Sequence, residues 1–129
     1  MTDPSWLSEV KFSKDGLIPA IAQDATSGRI LMVAWMNQTA LEQTVLSGEA
    51  VYWSRSRAKL WHKGEESGHI QQVSEIRLDC DGDVITLQVK QAGGIACHTG
   101  RANCFFNKLE NDKWISISEV IKDPKEIYG

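Results

Sequence analysis

The 129-residue chain has no long apolar run. Its longest, ILMVAWM at 30–36, is far too short to cross a bilayer as a helix. The opening MTDPSWLSEVKFSKDG lacks the basic head and apolar stretch of a secretory signal, so a cytoplasmic protein is expected. An excess of basic residues is missing too. Fourteen Lys and Arg face seventeen Asp and Glu, a net charge of -3, which argues against a general nucleic-acid or anionic-membrane binder. A local basic patch can still hold an anionic ligand. Only three prolines occur, with no repeat and no low-complexity tract, so no linker divides the chain and a single domain over 1–129 is expected. Three cysteines, an odd number without a Cys-x-x-Cys pair, cannot form a disulfide framework that uses them all. They remain thiols or metal ligands.

With 42% hydrophobic residues, the chain can bury a core, and its patterning predicts a β-rich α+β domain of antiparallel hairpins with one or two short helices. LIPAIAQ (17–23) and RILMVAWM (29–36) read as strands joined by the turn DATSG. NQTALEQTVLSG (37–48) reads as a helix: Asn37 or Thr39 caps it, Thr39 and Glu42 fit a capping box, and Gly48 ends it. AVYWSRSR (50–57) and KLWHKGE (59–65) are strand-like, followed by the Gly/Ser corner ESGH. QQVSEIRLDC (71–80) and VITLQVKQ (84–91) flank Asp81-Gly82, a hairpin signal. CFFNKLE (104–110) and KWISI (113–117) form a last pair. The tail from Ser118 suits a short helix interrupted by Pro124.

Three stretches carry chemistry. In DCDGD, Asp79, Asp81 and Asp83 repel one another unless a cation sits between them, and Cys80 is a poor ligand for the hard cation that carboxylates prefer. If residues 76–81 are extended, Ile76, Leu78 and Cys80 share one face, and Arg77, Asp79 and Asp81 the other. That favours separate sites: Mg²⁺ on Asp79, Asp81 and Asp83, and Zn²⁺ on a thiolate set including Cys80. A solvated acidic turn is the competing reading. An EF-hand fails, since its glycine position falls on Val84 and its closing glutamate on Lys90.

The second stretch, GGIACHTGRANCFF (93–106), carries Cys97-His98 and then Cys104, with six residues between the two cysteines. Three cysteines fit a zinc with three protein ligands and an open position for water, the catalytic arrangement. Its glycines, Thr99 and Arg101 offer backbone N–H groups and a cation suited to phosphate. The third, WSRSRAKLWHKGEESG (53–68), sets Arg55 and Arg57 on one strand face with Ser54 and Ser56 opposite, and Lys59 and Lys63 following. Such a set can clamp phosphates, and Trp53 or Trp61 can stack on a purine. A solvated edge strand is the plainer alternative. A Cys97-His98 thiol hydrolase leaves DCDGD unexplained. A zinc-stabilised nucleic-acid module conflicts with the acidic charge, and zinc deaminase signatures are missing.

VYWSRSRAKLWHKGEESGH, LDCDGD and ACHTGRANCF, in this order and spacing, closely resemble the phosphoribosyl-AMP cyclohydrolase family of histidine biosynthesis, over about residues 16–115. The resemblance implies a homodimer, intertwined through a zinc site shared between chains. Zinc would be held by Cys80 of one subunit with the partner's Cys97 and the partner's Cys104, and Mg²⁺ by Asp79, Asp81 and Asp83. It implies hydrolytic opening of the adenine N1–C6 bond of 1-(5-phosphoribosyl)-AMP, the third step of the pathway. His98, next to Cys97, is then read as the proton shuttle, with a structural histidine that hydrogen-bonds the loop as the plainer alternative. Trp53, Ser54, Arg55, Ser56, Arg57, Lys63, Thr99 and Arg101 would bind substrate. No fused pyrophosphohydrolase domain is expected. One departure is visible: the family usually reads Ser-Gly-Asn where this chain has Ser67-Gly68-His69.

Overall fold

A computed structural model describes residues 5–128; Met1 to Pro4 and Gly129, parts of the expected 1–129 domain, lie outside the described residues. β1 (Ile18–Asp24) and β2 (Ile30–Met36) form the expected first hairpin, and α1 (Gln38–Ser47) follows. The second hairpin is β3 (Val51–Ser54) with β4 (Lys59–His62), and the third is β5 (Gln71–Leu78) with β6 (Ile85–Gln91). β7 (Asn107–Glu110) pairs with β8 (Lys113–Ser116), and α2 spans Pro124–Tyr128. The first six strands form one sheet in the order β4-β3-β2-β1-β6-β5, with β7 and β8 a separate ribbon.

The fold is β-rich with two short helices, as expected, but its pairing is mixed. β1 and β6 run parallel, with Ala20 opposite Ile85 and Ala22 opposite Leu87. Sixty residues separate these strands, so no local turn signal announces the contact. The sheet curls until its far strand returns to the start of β3: Ala50 N donates to Gln71 O and Val73 N to Gly48 O. Glu49 bridges Gln72 at this closure.

Alternation explains the core. In β1, Ile18, Ala20 and Ala22 are buried, and in β6 Ile85, Leu87 and Val89, each separated by a less buried residue. Met32, Ala34 and Met36 of β2, Leu41 of α1 and Tyr52 of β3 complete it. Burying a side chain such as Leu41 stabilises the fold by roughly 1.5–3 kcal/mol.

Four local expectations change. Asn37, whose side chain accepts from Ala40 N at 2.8 Å, caps α1, and Thr39 lies inside the helix, so the Thr39–Glu42 box does not form. Gly48 ends it in the left-handed region, as expected. β3 stops at Ser54, and Arg55 to Ala58 form a turn. Arg55 and Arg57 therefore do not share a strand face. β5 stops at Leu78, because the Asp79 carboxylate accepts from Asp83 N (2.9 Å) and Val84 N (3.3 Å) and closes a loop instead. Cys80 and Asp81 therefore lie in a turn rather than on alternating strand faces, and the β5–β6 connection is longer than two residues. Pro124 begins α2 instead of interrupting it, where its fixed φ and missing N–H suit a first helical position.

Candidate metal and nucleotide site

The acidic loop between β5 and β6 is held from below. Gly82 has φ +77, and a Cβ there would lie 2.7 Å from Glu9 O, while Lys11 N donates to Gly82 O at 2.8 Å. Only glycine permits this approach of the N-terminal segment. The resulting turn gathers Asp79, Asp81 and Asp83, each exposed, with ligand oxygens within 4.8 Å of one another. Among the described residues this is the only set of three His, Cys, Asp or Glu residues so gathered. The repulsion read from the sequence is visible. A hydrogen bond with Asp79, some desolvation and the charges of Asp79 and Asp81 push the Asp83 pKa up. Desolvation raises that of Asp79 too, but hydrogen bonds from Asp83 and Val84 outweigh it, and the net shift is downward. Cys80 is exposed and does not join the set. Thiol and carboxylates are thus separated by turn geometry rather than strand alternation.

The other two thiols meet at the opposite end of β6. Its seven residues span roughly 20 Å, with Cys80 in the loop before it and Cys97 in the loop after it. Residues 95–104 fold back on themselves: Ala96 N donates to Ala102 O, Cys97 N to Arg101 O, and Cys104 N to Leu31 O at the start of β2. This brings Cys97 and Cys104 near enough for the charge of one to act on the other. Thr99 Oγ1 donates to Cys97 Sγ at 3.1 Å. Cys97 is buried. Cys104 is exposed as a residue. Desolvation of its thiol, with Cys97 alongside, pushes its pKa up to about 12, against the pull of Lys63. The two thiols are the groups that suit a soft dication, and the Thr99 hydroxyl and the Lys63 ammonium near them favour their thiolate forms.

Lys63, expected beside Arg55 and Arg57, is buried; its Nζ donates to Ala96 O at 2.6 Å and lies 5.3 Å from the Trp61 ring centroid. Burial pushes its pKa down, while Cys104 and Cys97 push it up. Arg55, Ser56 and Arg57 stand exposed at the β3–β4 turn, with the Arg55 guanidinium 4.7 Å from the Trp35 ring centroid. Ser54 Oγ accepts from Arg57 N at 3.3 Å and lies 3.4 Å from Ser56 Oγ. Trp53 is half-buried opposite Trp35. Arg101 packs over Phe106 and donates to Ser118 O at 3.0 Å. His98 is exposed beside Cys97.

The sequence reading missed the polar network behind the thiols. Tyr52 OH donates to Gln71 Oε1 (2.6 Å), Gln71 Nε2 to Gln91 Oε1 (2.9 Å), and Gln91 Nε2 to His69 O (2.8 Å). Tyr52 and Gln71 are fully buried. Their signal was a tyrosine and a glutamine among strand residues, but only the curled sheet makes both positions face inward. The His69 ring lies against Gly93, and its pKa is pushed down by burial, then by Lys122 and Lys63.

A curled β-sheet with a carboxylate set at one end and a thiol pair beneath a lysine at the other has the makings of a small metal-dependent hydrolase. The family model for phosphoribosyl-AMP cyclohydrolase matches residues 32–106. Proteins named phosphoribosyl-AMP cyclohydrolase are similar along nearly their whole length. That of Nitrosomonas europaea is 66% identical over 128 residues, covering 99% of this chain and 98% of its own. The Nitrosospira multiformis protein is 64% identical, covering 97% and 96%, and that of Bordetella pertussis 63%, covering 98% of each. The chain belongs to the phosphoribosyl-AMP cyclohydrolase family, hydrolases of histidine biosynthesis.

Proposed function

We propose that the chain acts as a single cytoplasmic domain, in an intertwined homodimer, and opens the adenine ring of 1-(5-phosphoribosyl)-AMP by hydrolysis of the N1–C6 bond. The carrying observation is the thiol pair Cys97 and Cys104 gathered beneath Lys63, with Cys80 left exposed at the far end of β6. One chain offers two thiolates to a soft cation. A second copy supplies the third, so Cys80 would ligate zinc with the partner's Cys97 and the partner's Cys104. Exposed apolar side chains support a partner surface: Leu109, Trp114 and Ile115 on the β7–β8 ribbon are 56%, 70% and 42% exposed. Asp79, Asp81 and Asp83 would hold Mg²⁺, whose preference is for oxygen ligands.

Zinc, when bound, supplies a Lewis acid that makes water nucleophilic near neutral pH. The substrate's N1 substituent leaves the six-membered ring electron-poor, so water adds at C6 and the C6–N1 bond breaks, with the proton ending on N1. His98, exposed beside Cys97, carries that proton. Arg55, Arg57 and Arg101, with the hydroxyls of Ser54, Ser56 and Thr99, bind the two phosphate monoesters, and Trp53 stacks on the base. Lys63 contributes its charge from behind the thiols. No helix among the described residues is long and apolar enough to cross a membrane. The test is conversion of 1-(5-phosphoribosyl)-AMP by the purified protein, followed by ultraviolet absorbance, with zinc content measured before and after chelation. Ring opening that persists in fully zinc-free protein overturns the reading.

A further inference from the structure

Lys63 is the only charged residue buried among the described residues, and no carboxylate lies within ion-pair distance of it there. A buried ammonium without a counter-ion is costly, so its neighbours must account for it. Its hydrogen bond to Ala96 O spans 33 residues and ends beside Cys97, and the groups able to become anions around it are Cys97 and Cys104. We infer that the Lys63 ammonium is the built-in counter-charge of the thiolate zinc site, a positioning residue for the metal loop rather than a contact for the substrate's phosphates.

The inference rests on the zinc reading above, and charge balance gives its direction. Three thiolates around one dication carry a net single negative charge. Loading zinc brings in two positive charges and releases three thiol protons, so the site becomes more negative by one. A fixed cation beside it favours the loaded state. The same side chain fixes the loop, since its hydrogen bond holds Ala96 where Cys97 can meet Cys104. Metal sites commonly lose about 10–100-fold in affinity when such a supporting group is removed.

The experiment compares the full-length wild type, K63M, which keeps the length and loses charge and donor, and K63R, which keeps both. Zinc affinity is measured by competition with a chromogenic chelator, and the thiolate-to-metal charge-transfer bands are recorded after loading with cobalt(II). K63M is expected to bind zinc about 10–100-fold more weakly. Its cobalt bands should move to longer wavelength, because thiolates without the cation donate more readily. K63R is expected to stay within about threefold of wild type with bands in place. A K63M protein with unchanged affinity or unshifted bands overturns the inference and leaves the zinc reading standing. If K63M fails to fold by circular dichroism, K63R decides, and weaker binding than that threefold limit overturns it. Wild-type protein that binds no zinc removes the zinc reading and this inference together.

Discussion

Asp81 is exposed in a turn, so exchanging it for Asn removes one charge from the carboxylate set with almost no change of shape and little effect on the fold. Asp81→Asn is expected to weaken the response of activity to Mg²⁺ while zinc stays stoichiometric. A parallel loss of zinc in metal analysis would mean that the two sites are one. His69 gives a pH dependence. Burial, then Lys122 and Lys63, hold its pKa below the ordinary 6.5, so the folded state keeps the ring neutral where the unfolded state would charge it. The associated stability is present above about pH 6.5 and is lost as pH falls below it toward the folded value. His69→Asn, the residue usual in the family, is expected to lose less stability between pH 7.5 and 5.5. Urea midpoints of both proteins at both pH values check this, since His62 and His98 are common to the two and cancel in the difference.

At the scale of elements, α1 depends on its ends. The Asn37 side chain satisfies Ala40 N, and Gly48 N donates to Thr44 O from a left-handed residue. Within the helix, Thr44 Oγ1 accepts from Val51 N, which couples α1 to β3. Asn37→Ala is expected to cost about 1 kcal/mol of stability, read as a lower denaturation midpoint with an unchanged slope. A second element-level contact ties the C-terminal segment to the thiol loop. Gly100 O accepts from Ile121 N at 2.8 Å and Lys122 N at 3.3 Å, and a side chain at Gly100, whose φ is +87, would run into Lys122 O. The glycine of HTGR is thereby given a packing role besides any contact with phosphate.

For the whole molecule, the distance along β6 between Cys80 and the other two thiols leads to a test by mixing. Cys80→Ala and Cys97→Ala proteins are each expected to be inactive. After subunit exchange, each mixed dimer holds one site with all three thiolates if the site is shared, and activity returns toward that single site's share. With exchange verified by a mass-tagged subunit, a mixture that stays inactive means each chain builds its own site. The β7–β8 ribbon leaves Leu109, Trp114 and Ile115 largely exposed among the described residues.

The hairpins and α1 were legible in the sequence because they rest on short-range signals: strand-like apolar runs, Gly-containing turns and an Asn cap. DCDGD and the Cys97–Cys104 segment were legible as chemistry for the same reason, since ligand type is a property of the residue itself. The acidic turn shows where that reading ends. A strand extrapolated through Cys80 was replaced by a loop, because the Asp79 side chain took the backbone donors of Asp83 and Val84. Arg55 and Arg57 parted from Lys63 because β3 ended at Ser54 and the chain turned, leaving the lysine to run inward from the end of β4. Composition and spacing singled out the candidates for binding metal and phosphate. Only the tertiary structure, through the parallel β1–β6 contact and the curl of the sheet, decided which of them meet, since contacts between distant residues depend on how many strands pack at once.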